Sequence, residues 1–194
     1  MLAVNTVLKE LDVSANTSYQ CDSVGFAQEL AVGISDNGTL SKLDASDNHM
    51  FGKKDKAGIT AWADALKANT SITELNLTKN KISANDTKIL APAISDNGAL
   101  LVLSLKGNNL FAAGCKALAE GLKGNQVITE LNIASNSLGW NGVGADMSGV
   151  IALADIIPDM GALAKLDMST NVIGAEQEKD LQRICMAGGI ELTQ

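Results

Sequence analysis

Histidine and cysteine, the side chains most often used as base, nucleophile or transition-metal ligand near neutral pH, are scarce in this 194-residue chain. There is one histidine, His49, and there are three cysteines, Cys21, Cys115 and Cys185. A Cys21–His49 pair is the one conceivable nucleophile and base, if the fold brings the two together. The plainer reading makes them a surface imidazole and a thiol in an edge loop. Three cysteines this widely scattered do not suit a zinc site, whose ligands come in close pairs. Their odd number and the absence of a signal peptide predict free thiols in a reducing, cytoplasmic setting. Asn-x-Ser/Thr sequons occur at Asn16, Asn37, Asn69, Asn76 and Asn85, and without a secretory route they carry no weight.

Composition narrows the field further. Hydrophobic residues make up 46% of the chain and aromatics only 3%, so the core must be built from Leu, Ile, Val and Ala. Sixteen Asn and eighteen Gly imply a turn made again and again. A net charge of −7 argues against nucleic-acid binding, which needs clustered Lys and Arg. No stretch approaches the apolar length of a membrane helix, so no membrane insertion is expected.

The elements that would position any site come from self-similarity. LKELDVSAN (8–16) returns as LSKLDASDN (40–48), ITELNLTKN (72–80), LLVLSLKGN (100–108), ITELNIASN (128–136) and LAKLDMSTN (163–171). The final asparagines, Asn16, Asn48, Asn80, Asn108, Asn136 and Asn171, are spaced by 32, 32, 28, 28 and 35 residues. Each copy reads as a short strand whose alternate residues, such as Leu75 and Leu77, face a core. The Asn stands where the chain leaves the strand, and its amide can satisfy buried backbone groups of its own and the neighbouring repeat. Stacked copies predict an asparagine ladder.

The second half of each repeat has helical spacing. Phe26, Leu30 and Ile34 recur four apart, as do Gly58, Trp62 and Leu66, and Gly114, Leu118 and Leu122. Asn37, Asn69, Asn97 and Asn125 share one register at the helix ends, where a left-handed residue is expected. Pro92 lies inside the third helix and predicts a kink or break between Lys88 and Pro92, since an interior proline costs roughly 3 kcal/mol. Pro158 should end the fifth helix near Ile157. The sequence divides into one domain, 1–194, of about six repeats: 8–39, 40–71, 72–99, 100–127, 128–162 and 163–194. Leu2 and Asn5 match Leu66 and Asn69, so the chain begins within the end of a helix, and Ile190 and Leu192 suggest a truncated seventh strand. Neither end shows a polar cap. The chain is therefore expected to be part of a longer solenoid, or to use its ends for end-to-end contact or a larger assembly.

LxxLxLxxNxL followed by GxxALAxxLxxN, closest in FAAGCKALAEGLKGN (111–125), resembles the ribonuclease-inhibitor-like class of leucine-rich repeats. The resemblance implies an α/β fold, a right-handed solenoid in a horseshoe arc with parallel strands on the concave side and helices on the convex side. It also implies a protein-interaction module or scaffold, not an enzyme, with no cofactor and a protein partner. Relatives of other function set two alternatives. A Ran-type GTPase activator would have an arginine in an early repeat and an acidic tail, whereas the only arginine here is Arg183 and the chain ends GGIELTQ. An actin-end-binding module, like the repeat domain of tropomodulin, is of similar size, and no motif singles it out.

Two columns and one edge are the candidate partner-binding residues. Glu10, Lys42, Glu74, Val102, Glu130 and Lys165 stand six before the ladder Asn, and the charge alternation of the first three predicts cross-strand pairing. Asp12, Asp44, Asn76, Ser104, Asn132 and Asp167 stand four before it, with Lys106 just beyond Ser104. Asp12 and Asp44 should be neighbours able to share a proton or cation, although Lys42 is close enough to neutralise them. The loop GKKDK (52–56) is a small basic spot that reads most simply as a solvated face. Three residues after the ladder Asn come Tyr19, Phe51 and Phe111, with Trp140 one place later in its repeat. These are four of the six Phe, Tyr and Trp residues. Alternation from the core-facing Met50 and Leu110 predicts that the rings turn outward along the strand-exit edge, where aromatics favour binding. The competing reading folds each ring back over its own loop.

Overall fold

The structure, a computed structural model, describes residues 2–17 and 23–194. Tyr19 and Cys21, and with them the Cys21–His49 pairing, lie outside the described residues. Seven short strands, β1 (Glu10–Asp12), β2 (Lys42–Asp44), β3 (Glu74–Asn76), β4 (Val102–Ser104), β5 (Glu130–Asn132), β6 (Lys165–Asp167) and β7 (Glu191–Thr193), form one sheet in sequence order. Every neighbouring pair is parallel. Six helices alternate with them: α1 (Ser23–Ser35), α2 (Ala57–Ala68), α3 (Ala84–Asp96), α4 (Phe111–Leu122), α5 (Ser148–Ile156) and α6 (Ala175–Gly188).

The register follows from one column of leucines. Leu11, Leu43, Leu75, Leu103, Leu131, Leu166 and Leu192 are direct partners across the seven strands. A slip by one residue would put charges in their place. Leu43, Leu75, Leu103, Leu131 and Leu166 are buried, and so are Leu77, Leu105 and Ile133 two positions on. The helices close the core from the other side with Leu30, Ile34, Trp62, Leu66, Leu118 and Leu122.

The asparagine ladder is present and nearly continuous. The Asn48 amide donates to the Val13 and Ala45 carbonyls, and its Oδ1 accepts the Asn16 N–H at 2.7 Å. Asn80, Asn108 and Asn171 repeat the arrangement one step along, whereas Asn136 keeps the amide donations to the Leu105 and Ile133 carbonyls but its buried Oδ1 accepts no hydrogen bond. The residue before each ladder Asn is left-handed: Ala15, Asp47, Lys79, Gly107, Ser135 and Thr170 have φ between 54° and 67°.

Two local expectations need correction. The helix-end asparagines are not left-handed. Asn69 has φ −77° and ψ 128°, and Asn97 has φ −79° and ψ 115°, both extended. Their side chains do the work instead. Asn69 Oδ1 accepts from the Ser71 and Ile72 N–H groups, while its Nδ2 donates to the Ile34 and Asn37 carbonyls of the preceding repeat. Asn37 and Asn97 do the same, so a second ladder runs along the opposite edge. Helix α3 is also unbroken, running from Ala84 to Asp96 with Pro92 inside it. Pro92 and Lys88 are both exposed, so the Lys88 carbonyl that loses its partner faces water, and the buried Leu90, Ala91, Ala93 and Ile94 hold the helix to the core. Pro158 behaves as expected: α5 ends at Ile156 and a 3-10 turn, Ile157–Asp159, follows.

Both ends match the sequence pattern. Leu2–Val4 is a 3-10 turn whose Leu2 and Asn5 carbonyls accept from the Asn37 amide at 2.7 and 3.1 Å. β7 pairs with β6 as a seventh strand.

Candidate partner-binding surface

The parallel register sets the two polar columns on the open face of the sheet. Glu10 is opposite Lys42, Lys42 opposite Glu74, Glu74 opposite Val102, Val102 opposite Glu130, and Glu130 opposite Lys165, with Glu191 last. Lys42 Nζ lies 3.1 Å from Glu74 Oε2. The Glu74 hydrogen bond, then the Glu74 and Glu10 charges, raise the Lys42 ammonium above its ordinary value. Among the described residues, the exposed side chains of Glu10, Glu130 and Lys165 make no hydrogen bond or ion pair.

The second column is tied into the fold. Asp12, Asp44, Asn76, Asn132 and Asp167 each accept, through Oδ1, the backbone N–H two residues on, which closes the strand-exit turn. The Ser14 side chain and then its N–H hold the Asp12 carboxyl below its usual range. Asn76 donates to Asp44 at 2.8 Å and Asn132 donates to Asp167 at 2.9 Å. Ser104 shares a hydrogen bond with Thr78 at 2.9 Å. Asp12 and Asp44 are adjacent in register, but Asp44 spends both oxygens on protein donors. The described residues contain no group of three or more metal-ligating side chains.

Where the first column changes from charge to Val102 there is a recess of about 270 Å³. It is lined by Val102, Ser104, Glu130, Asn132, Lys165 and Asp167, with Thr193 at its far side. An apolar floor with a carboxylate and an ammonium above it can take a side chain that carries both apolar and polar atoms. Lys106 is exposed outside this recess.

The strand-exit edge differs from expectation. Phe51 is buried, 3% exposed, and meets Trp62 edge to face with ring centroids 6.1 Å apart. It is a core residue and not a docking ring. Alternation misplaces it because β2 ends at Asp44 and His49 turns left-handed (φ 50°), so residues 49–51 are not a strand. Phe111 is half-buried at the start of α4, with φ 55°. Trp140 does face outward, 38% exposed, on a hairpin whose Trp140–Ala145 bridge puts Val143 near the tip. Val172 and Val143 are exposed on the same edge.

Sequence reading missed one buried ion pair. Asp86, 1% exposed, lies 2.8 Å from Lys56 Nζ and accepts the Gly52 and Ser83 N–H groups. With the Ser83 hydroxyl it forms a capping box on α3. The spacing Ser83-x-x-Asp86 was the available signal. The GKKDK loop is therefore stapled down through Lys56, while Lys53 and Lys54 remain exposed. Cys115 and Cys185 are buried, and burial pushes the Cys115 thiol up to about 12, which removes it as a nucleophile at neutral pH. Arg183 is paired with Asp180 on the outer surface of α6.

Comparison with known proteins agrees with this architecture. The leucine-rich-repeat family model matches residues 68–86. The sequence matches no curated protein. Among solved structures, leiomodin-1 actin-binding site 2 is similar with TM-score 0.54 and 15% identity, over 95% of this chain and 82% of that one. The tropomodulin C-terminal domain of Caenorhabditis elegans gives TM-score 0.53 and 9% identity, over 95% and 86%. The leucine-rich-repeat protein LegL7 from Legionella pneumophila gives 0.52 and 19%, over 93% and 62%. With its six repeated sequence motifs and its strand-by-strand register, this chain has the fold of a leucine-rich-repeat protein. No helix of the described residues is long and apolar enough to cross a membrane.

Proposed function

We propose that the protein is a cytoplasmic protein-binding module of the ribonuclease-inhibitor-like class that holds a protein partner on its concave face. The observation that carries this reading is the first column. Its Glu10, Glu130 and Lys165 side chains are exposed and take no part in the fold's hydrogen bonding, and Glu130 and Lys165 line the Val102 recess. The second column, Asp12, Asp44, Asn76, Ser104, Asn132 and Asp167, is held rigid by its turns and presents its remaining lone pairs at fixed positions. On the strand-exit edge, Trp140 extends the surface, and Phe111 and Lys106 border it. A rigid aromatic offers large contact area at low entropy cost. Buried thiols and a paired Arg183 favour binding over catalysis.

The test is a lysate pull-down with the wild-type chain, Val102→Glu and Trp140→Ser as bait. Loss of the same recovered protein from both variants, with unchanged thermal midpoints, is the expected result. Recovery equal to wild type from both would overturn the assignment of this surface. A second reading, actin binding, is favoured by the likeness to leiomodin-1 actin-binding site 2, at an identity that shows the fold alone. Co-sedimentation with actin filaments and an end-elongation assay decide it: the absence of both co-sedimentation and any change in elongation eliminates actin as the partner.

A further inference from the structure

The convex helix layer is not evenly packed. Between most neighbouring helices a glycine lets the backbones touch. A Cβ on Gly58 would stand 3.2 Å from that of Ala27, on Gly114 3.1 Å from the Ala84 Cα, and on Gly149 2.3 Å from the Ala112 carbonyl. Gly114 is six residues after ladder Asn108; six after Asn171 the chain has Gln177 instead. No glycine of α6 makes such an approach to α5, and α6 buries only Leu181 and Cys185.

Two clefts lie along α6. One, about 310 Å³, is lined by Ile151, Ala154, Asp155, Glu176, Gln177 and Asp180 among others. The other, about 400 Å³, is lined by Ile157, Pro158, Met160, Ala187 and Ile190 among others. Arg183 and Ile184 line both, so the clefts form one trough along α6. Fourteen helical residues make it roughly 20 Å long. Its floor is apolar, with Ile151 47% exposed. Its rim carries three carboxylates, Asp155, Glu176 and Asp180, against one guanidinium, and Arg183 is already engaged with Asp180 at 3.2 Å.

We propose that this trough docks a basic amphipathic helix of a partner protein, its apolar stripe on Ile151, Ala154 and Ile184 and its Lys or Arg residues against Asp155 and Glu176. A trough between two helices accepts a third by seating ridges in the groove, and the apolar anchors of such a helix recur at three- and four-residue spacing. A strand has no open sheet edge to pair with there. The acidic rim repels acidic segments, including those of a second copy of this chain at −7. The surface is separate from the concave face, on the opposite side of the sheet.

The experiment uses a fluorescein-labelled 15-residue peptide of Leu and Lys with the leucines at positions i, i+3, i+4 and i+7, and the same peptide with Glu for Lys. Anisotropy is measured against the wild-type chain, Ile151→Ser, the double variant Asp155→Lys with Glu176→Lys, and Glu130→Lys on the concave face. All four altered residues are exposed, and each variant is checked for an unchanged thermal midpoint. The expected result is saturable binding of the basic peptide alone, at least tenfold weaker in Ile151→Ser and in the double variant and unchanged in Glu130→Lys. The proposal is overturned if the wild type does not bind saturably, if Ile151→Ser binds as well as wild type, or if Glu130→Lys weakens binding as much as the double variant. It is equally overturned if the wild-type chain self-associates and Ile151→Ser abolishes this, which would assign the trough to a second copy.

Discussion

Asn80 serves three repeats at once. Its amide donates to the Ala45 carbonyl at 2.8 Å, its Oδ1 accepts the Asn48 N–H at 3.2 Å, and its own N–H goes to Asn108 Oδ1 at 2.9 Å. Replacement by Ala strands a buried carbonyl and a buried N–H, so Asn80→Ala and Asn108→Ala should each cost about 1–3 kcal/mol in urea denaturation. Asn85, exposed on α3, should cost little when replaced. Equal losses at all three positions would show that the ladder is not what holds the turns. These asparagines were legible because the same residue closes the same nine-residue pattern six times. The helix-end set was legible in register but not in conformation: a left-handed Asn and an extended Asn look alike in sequence, and only the geometry of the Asn69 amide separates them. Cys115 gives a second prediction at this scale. Burial raises its folded value to about 12, above the ordinary thiol value, so the folded state keeps a proton that the unfolded state loses. Its contribution is complete below about pH 9 and is lost as pH rises toward 12. Wild type should therefore lose stability more steeply than Cys115→Ala between pH 8.5 and about 10.5. Parallel curves would mean that the thiol titrates normally.

At the scale of the element, α3 shows how tertiary packing overrides local preference. An interior proline should break a helix, and the sequence alone offers no reason why it does not. The reason is that Pro92 falls on the exposed face, between buried Ala91 and Ala93, so the helix loses one hydrogen bond and no packing. The cost is nevertheless stored. Pro92→Ala should restore the bond to Lys88 and stabilise the protein by about 1–3 kcal/mol, since Ala exceeds Pro by roughly 3 kcal/mol in a helix interior. A thermal midpoint unchanged or lowered by this substitution would show that the proline ring itself packs favourably at the α3–α4 groove it lines. The same distinction explains Phe51. Strand alternation predicts its direction only while the chain is extended, and past Asp44 the turn geometry decides.

The whole molecule is a stack in which each repeat touches only its neighbours, so stability is close to a sum of repeat and interface terms. The stack is uneven. α4 buries seven residues, Ala112, Gly114, Cys115, Ala117, Leu118, Ala119 and Leu122, whereas α6 buries only Leu181 and Cys185. α6 also lacks the glycine contact that draws its neighbours together, and β7 beyond it has one face of its ladder unpaired. Local opening should therefore begin at the last repeat, because low-stability segments are those with few buried apolar contacts. Hydrogen exchange followed by mass spectrometry should show the amides of α6 and β7 exchanging well before those of α3 and α4. The order matters for function as well as stability. A helix seated between α5 and α6 would supply the contacts that α6 lacks, so the basic amphipathic peptide should slow exchange in α6 and leave α3 unchanged. A single rate across all six helices would make the solenoid one cooperative unit and remove the basis for a loose terminal repeat. Exchange that is early in α6 but unaffected by bound peptide would place the peptide elsewhere on the surface.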